Sequence, residues 1–183
     1  MHLSRICVWV VAIAVALAAV AACFGPQTSN DYYDRGVSRF KDDKYKAAVA
    51  DFSKAISIRP QYTAAYIGRG DARIGLGLFE EAIADFDQAL QLKPDAPGVY
   101  YSRGFSKFML GRYRGAIADF DQAIRLQPHK AYTYYIRGQA KSNIGLHKEA
   151  TADWQASLEL AKETKGSDLT ANNKQRIQEF DQN

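Results

Sequence analysis

Cysteine is nearly absent. The chain has 2, Cys7 and Cys23, and none follows, so beyond residue 23 neither a disulfide framework nor a thiolate metal site can organise the fold. Histidine is as scarce, with 3: His2, His129 and His147. The last two stand in different parts of the chain, with no cysteine or paired carboxylate at ligand spacing beside them. No phosphate-cradling glycine loop, nucleophile elbow or metal motif occurs. The expectation is a non-enzyme with no catalytic residue, cofactor or metal. An excess of one charge is also missing. A net charge of +4, with the basic residues scattered among recurring aspartates, describes a solvated surface and lacks the concentrated stripe of a nucleic-acid binder. No nucleic-acid partner is expected.

Long apolar runs are limited to one. Arg5 precedes Ile6–Ala22, an unbroken apolar stretch of 17 residues, at the short edge of what spans a bilayer and in the form of a secretion signal; an uncleaved membrane anchor and simple secretion are the alternatives to a lipidated end. It ends in Val20-Ala21-Ala22-Cys23, which resembles the bacterial lipoprotein signal: a branched aliphatic residue, two small ones, then the cysteine that takes lipid. That resemblance implies a signal peptide over 1–22, acylation at Cys23 with diacylglycerol and palmitate-type chains, and a linker over 23–28 that reaches at most about 20 Å. More than one acyl chain anchors stably where a single chain does not. The implied location is the cell envelope, facing the periplasm, and the outer membrane where there is one, since Phe24 stands where an inner-membrane retention signal would have aspartate.

What the rest of the chain does have is a repeat. Gly36, Gly70, Gly104 and Gly138 follow one another at 34 residues, each preceded by an arginine: Arg35, Arg69, Arg103 and Arg137. The same shift aligns Ala48, Ala82, Ala116 and Ala150, then Asp51, Asp85, Asp119 and Asp153, then Phe52, Phe86, Phe120 and Trp154. Pro60, Pro94 and Pro128 close the first three copies. A period of this size marks a stacked solenoid. In the third copy Gly98–Leu110 and Tyr113–Leu126 are each long enough for a helix, and the short link between them turns the chain into an antiparallel hairpin. Gly111 and Gly145, with Gly75 or Gly77 in the second copy, stand where a left-handed residue ends a helix. Asp43 and Lys44 replace glycine in the first copy, which predicts a weaker cap. Gly104 is costly inside a helix by about 1 kcal/mol, so a close crossing against Ala116 is expected there. Aspartate is also a poor interior helix residue. Its four appearances predict an internal ladder of charge-assisted pairs, Arg35 with Asp51, Arg69 with Asp85, Arg103 with Asp119 and Arg137 with Asp153.

These columns together resemble the tetratricopeptide repeat family, from Ser29 to about Thr164. There are two departures: arginine stands four times where the family usually has leucine, and Lys162 replaces the closing proline of the fourth copy, which lets its second helix run on. The resemblance implies an all-α fold, a right-handed α-solenoid of four helix-turn-helix units over 29–62, 63–96, 97–130 and 131–164. A C-terminal capping helix is expected over 165–183, where Leu169, Ile177 and Phe180 share one side. In such proteins the first helices line a concave groove for a partner segment. Carried over by column, the groove is Tyr33, Ile67, Tyr101 and Tyr135; Val37, Asp71, Phe105 and Gln139; and Phe40, Ile74, Phe108 and Ser142. The lysine, asparagine and arginine of the family's carboxylate clamp are not met at these places. The resemblance thus implies a membrane-anchored, non-catalytic adaptor or scaffold whose partners are protein or peptide segments with apolar or aromatic anchors. The alternative role is self-association into a homo-oligomeric envelope scaffold.

Overall fold

The computed structural model describes residues 28–163. The signal segment 1–22, Cys23 and the expected capping helix over 165–183 lie outside the described residues. Within them eight α-helices follow one another and no strand occurs. They are α1 (Ser29–Lys41), α2 (Tyr45–Ile58), α3 (Thr63–Gly75), α4 (Phe79–Leu92), α5 (Pro97–Met109), α6 (Tyr113–Leu126), α7 (Ala131–Ser142) and α8 (His147–Glu163). None is long and apolar enough to cross a membrane. Consecutive helices form four hairpins.

Each boundary has a local cause. Thr28 opens α1 with a capping box: its hydroxyl accepts from the Asp31 amide at 3.1 Å, and the Asp31 carboxylate accepts from the Thr28 amide at 3.0 Å. The first helices of the second, third and fourth hairpins end at Gly77, Gly111 and Gly145, with φ of 73°, 71° and 80°. This left-handed step lets the following amide bond back to an orphaned carbonyl, as from Leu78 to Arg73 and from Arg112 to Lys107, both at 2.9 Å. Gly77 takes this role and Gly75 stays helical. In the first hairpin Asp43 adopts the same conformation at φ 57°, and Lys44 bonds to Arg39 at 2.9 Å. The cap is therefore formed there as well, with a side chain bearing the steric cost of about 1–2 kcal/mol. The second helices end because Arg59, Lys93 and Gln127 each precede a proline and are pushed out of the helical region, to φ values of −128°, −144° and −144°. The fourth hairpin has no such proline, and α8 runs 17 residues where its counterparts run 14.

One ring per hairpin fills the gap between helices. Phe52, Phe86, Phe120 and Trp154 are at most 1 % exposed, and each buried ring of this size contributes about 2–3 kcal/mol. The small residue on the facing helix makes room for the ring itself. A Cβ added at Gly36, Gly70 or Gly104 would lie 2.8, 2.7 or 2.9 Å from Phe52, Phe86 or Phe120, and one at Gly138 would lie 2.5 Å from Trp154 Nε1. The close crossing expected at Gly104 is present: the Phe120 ring, four residues beyond Ala116 on α6, fills it, and in the fourth hairpin the carbonyl of Ala150, in the Ala116 column, would lie 3.1 Å from a Cβ at Gly138. Ala116 is fully buried close by.

The core continues from one hairpin to the next. Ala72 joins the Phe52 cluster, Val99 joins the Phe86 cluster and Ile136 joins the Phe120 cluster. Phe52 also reaches forward, where it would lie 2.7 Å from a Cβ at Gly68. The first helices touch in succession, α1 with α3, α3 with α5 and α5 with α7, while the second helices of neighbouring hairpins make no comparable contact. The stack therefore curves with the first helices on its inner side.

Gly70→Ala separates propensity from packing. Alanine gains about 1 kcal/mol in a helix interior, yet the enclosed Phe86 ring cannot withdraw, so the variant loses about 2 kcal/mol net. Gly98, in the first turn of α5, has nothing within 4 Å of the added Cβ, and Gly98→Ala gains about 0.5 kcal/mol. Denaturant midpoints of the two variants check the opposite signs.

Candidate partner groove and the charge network behind it

The arginine and aspartate columns meet on the side of the hairpins away from the inner surface. Arg35 donates through Nε and Nη2 to Asp51 at 2.9 and 2.6 Å. The same fork joins Arg103 to Asp119 at 2.9 and 2.5 Å and Arg137 to Asp153 at 2.8 and 2.5 Å. In the second hairpin Arg69 Nη2 reaches Asp85 at 2.6 Å. The four aspartate side chains are at most 7 % exposed, so each must have its charge matched by the protein. Two cations do this. Besides the arginine, each aspartate meets a second basic residue one helical turn further along the first helix: Arg39 at 2.9 Å, Arg73 at 2.6 Å, Lys107 at 2.7 Å and Lys141 at 2.8 Å.

The arginines also reach backward. Arg103 Nη1 donates to Asp87 and Arg137 Nη1 to Asp121, both at 2.6 Å, and Arg69 Nη1 donates to Ser53 at 3.1 Å. Each of these acceptors stands two residues after the buried aspartate of the preceding hairpin. One guanidinium thus joins two units, 16 residues ahead and 16 behind. Burial alone would lower the pKa of Arg103, but the hydrogen bond and charge of Asp119, reinforced by Asp87, raise it above its ordinary value. Tyr32, Tyr66, Tyr100 and Tyr134 each place a ring 5.3–5.5 Å from the arginine three residues on, within cation–π range. Arg35, with no hairpin before it among the described residues, is 39 % exposed, against 15–18 % for Arg69, Arg103 and Arg137. Sequence reasoning missed the second cation, the backward acceptor and the tyrosine. All three recur at the spacing that revealed the ladder.

The other side of the first helices bears the groove columns. Tyr33, Val37 and Phe40 are half-buried and rest on the Phe52 cluster, Ile67 and Ile74 on the Phe86 cluster, and Tyr101 and Phe108 on the Phe120 cluster. Phe40 and Phe108 present their edges to Tyr45 and Tyr113 within their own hairpins, with ring centres 5.5 Å apart. These side chains both close the hairpin and floor the groove. Phe105, Tyr135, Gln139 and Ser142 are also half-buried. Phe105 stacks on Tyr101 at 6.5 Å, and Tyr101 meets the half-exposed Tyr132 at 6.1 Å. Burial and the neighbouring Tyr132 push the Tyr101 hydroxyl pKa up.

The floor is interrupted by cavities. One of about 240 Å³ lies beside Tyr101 and Tyr132, between α5, α6 and α7. A second, of about 260 Å³, lies between α1 and α3, with Val37, Phe40, Ile67 and Asp71 in its wall. A third, of about 200 Å³, is edged by Phe108, Gln139 and Ser142. Asp71 is the charged group in the wall of the second cavity. Burial pushes its carboxyl up to about 6, and the Ser102 hydroxyl, donating at 3.4 Å, holds it back only in part. Among the described residues no three His, Cys, Asp or Glu side chains gather as a metal site.

A curved stack of helical hairpins with a half-buried aromatic inner surface is an α-solenoid interaction fold. The chain belongs to the tetratricopeptide repeat family, whose models match at residues 32–62, 70–111 and 97–130. No curated protein sequence matches it. Among solved structures it is similar to MamA 41-end from Desulfovibrio magneticus RS-1, with 19% identity, a TM-score of 0.71 and coverage of 74% of this chain and 76% of that one. The Arabidopsis OM64 TPR domain is 24% identical, with a TM-score of 0.61 and coverage of 62% and 94%. The first TPR of Spaghetti (RPAP3), bound to the HSP90 peptide SRMEEVD, is 22% identical, with a TM-score of 0.63 and coverage of 65% and 94%. At these identities the likeness is one of fold.

Two substitutions test the charges. Asp85→Ala strands Arg69 and Arg73 side by side without a counterion and lowers unfolding free energy by about 3 kcal/mol, whereas Asp87→Ala, at the exposed backward acceptor, costs under about 1 kcal/mol. Urea denaturation distinguishes them. Asp71→Asn acts in the opposite direction. With the folded pKa near 6 and the ordinary value at 3.8, the native state binds more protons between those limits, so this group adds stability as pH falls from about 7 to 4. Asparagine removes that slope and raises stability at about pH 7, on the order of 1 kcal/mol after solvent screening. Melting temperatures across this range check the sign.

Proposed function

We propose that the chain is a non-catalytic adaptor that holds peptide segments of partner proteins on the inner surface of its solenoid, and that it does so at a bacterial membrane, anchored through lipid on Cys23. The observation that carries the adaptor reading is the inner surface itself. Aromatic and aliphatic side chains from α1, α3, α5 and α7 line it, with three cavities between them. Aromatic anchors in pockets are the usual carriers of binding energy at protein interfaces. Tyrosine adds a hydroxyl at the wet edge of such a surface. The peptide-bound state of the RPAP3 domain, a protein of the same fold, supports this choice of partner class. The anchoring rests on Val20-Ala21-Ala22-Cys23 and the apolar run before it, and places the groove in the envelope, facing the periplasm, at the outer membrane where the cell has one.

Crosslinking in intact cells tests both halves. Wild type is compared with Phe105→Ala, Tyr135→Ala, which trims the groove without emptying a hairpin core. A defined set of partner proteins captured by wild type and lost by the double variant is the expected result. Capture of the same set by both, or only of further copies of this chain, rejects the groove as the docking face, the latter in favour of a self-associating scaffold. In the same cells wild type incorporates labelled palmitate and Cys23→Ser does not; absence of label from wild type rejects the lipid anchor.

A further inference from the structure

Asp51, Asp85, Asp119 and Asp153 on the second helices, and Asp71 on α3, stand inside helices with their carboxylates withdrawn from water. The first four each meet two cations within 2.9 Å. Asp71 has none. Among the described residues its polar contact is the Ser102 hydroxyl of α5 at 3.4 Å, at the long limit of a hydrogen bond. The basic residues nearest in sequence are committed elsewhere. Arg69 and Arg73 lie two positions to either side on α3, roughly 200° around the helix, and both hold Asp85. Arg35 and Arg39 of α1 hold Asp51. From α1 the titratable group facing the cavity is Tyr33, while α2 contributes Phe52 and α5 contributes Ser102. A carboxylate is thus set in the wall of an otherwise apolar cavity of about 260 Å³, without the countercharge that every comparable aspartate in this fold receives.

We propose that Asp71 receives a lysine or arginine side chain of the partner segment, whose aliphatic stem packs on Val37, Phe40 and Ile67. This rests on the groove reading above and names the chemistry of its occupant. The stem and charged head of such a side chain match an apolar wall with one acid in it, and ion pairing at a partly desolvated site fixes the register of a bound chain. Lysine or arginine is selected over a purely aliphatic residue because only a cation relieves the desolvation of this carboxylate. That desolvation is also what pushes the Asp71 pKa up, and a bound cation brings it down. The column position of Asp71 is Val37, Phe105 and Gln139 in the other hairpins, so the acidic subsite occurs once along the groove. It adjoins the aromatic stretch of Tyr101 and Phe105 on α5, in contact with α3. Packed helices lie about 10 Å apart and an extended chain advances about 3.3 Å per residue. The segment therefore has its basic residue about three positions from an aromatic or aliphatic anchor.

The test uses the full chain as bait and a phage-displayed library of random linear peptides as probe. Selection runs in parallel on wild type, Asp71→Asn and the groove variant Phe105→Ala, Tyr135→Ala. The expected peptides from wild type carry lysine or arginine about three positions from an apolar residue, and those from Asp71→Asn lack the basic preference. Replacing that lysine by norleucine weakens binding to wild type about tenfold and leaves binding to Asp71→Asn unchanged. Wild type, and not Asp71→Asn, loses affinity for the lysine peptide between about pH 7.5 and pH 5 as the carboxylate protonates. Peptides that depend on the groove but show no basic residue, or an equal norleucine effect on both proteins, overturn this inference and leave the groove reading standing. Recovery of no peptide that the groove variant loses overturns both.

Discussion

Everything in this fold defers to four carboxylates that cannot reach water. A buried aspartate is tolerable when two cations and several hydrogen bonds meet it at once, and costly when either is missing. Supplying that environment dictates which face of each first helix turns toward its second helix, and it binds both basic residues of that face, Arg103 with Lys107 in the third hairpin. Because the same guanidinium also bonds backward to Asp87, the angle within a hairpin and the offset between hairpins are set by one side chain. The plane of the guanidinium makes this specific. Its fork serves the carboxylate ahead and its remaining Nη1 serves the acceptor behind, which a lysine ammonium cannot do with defined direction. An arginine in place of the more usual leucine has, in this chain, moved part of the stacking from apolar contact to oriented charge.

The second constraint is steric, and it acts on the opposite flank of the same residues. Gly104 directly follows Arg103, so the point where the Phe120 ring lies over the backbone is one residue from the point where the charges meet. Ring and ion pair hold the crossing from two directions. Neither is sufficient, since the ring leaves rotation about its own axis open and the ion pair alone leaves a gap. The hairpins still share their cores, through Ala72, Val99 and Ile136, so no unit is complete without its neighbour, as expected of a solenoid.

The inner surface inherits what these two constraints leave over. With the arginines turned away, the groove side of α1, α3, α5 and α7 retains tyrosine, phenylalanine and aliphatic residues, and many of them are half-buried because they also seal the hairpins. Such a surface is already organised before a partner arrives, which limits the ordering cost of binding. Asp71 departs from the pattern. Among the described residues it carries charge without a cation, in a cavity whose other walls are mainly apolar, and for that reason the groove has polarity along its length.

Periodicity determined the helical hairpins, their number and the arginine–aspartate pairing, because a 34-residue repeat forces like positions into like environments, while the residues that turn inward followed from the resemblance to the tetratricopeptide repeat family. Local chemistry determined most helix ends as well: Pro60, Pro94 and Pro128 stop second helices by backbone geometry that any neighbour would respect, and Gly111 and Gly145 turn where left-handed backbone is needed. Other features depended on distances between segments far apart in sequence. Which atoms of the Phe120 ring meet Gly104, and at what distance, was decided by side-chain length and direction at the crossing. The column of Asp87 and Asp121 was visible, but only the stacking brought it to the arginine of the following hairpin. Asp43 was free to take the glycine conformation because the packed hairpin offsets its local strain. Asp71 looked like one polar residue in a groove column; that its neighbouring arginines are committed elsewhere, leaving it with the Ser102 hydroxyl in a mainly apolar cavity, is a property of the assembled stack, since the competition for those cations is settled by geometry.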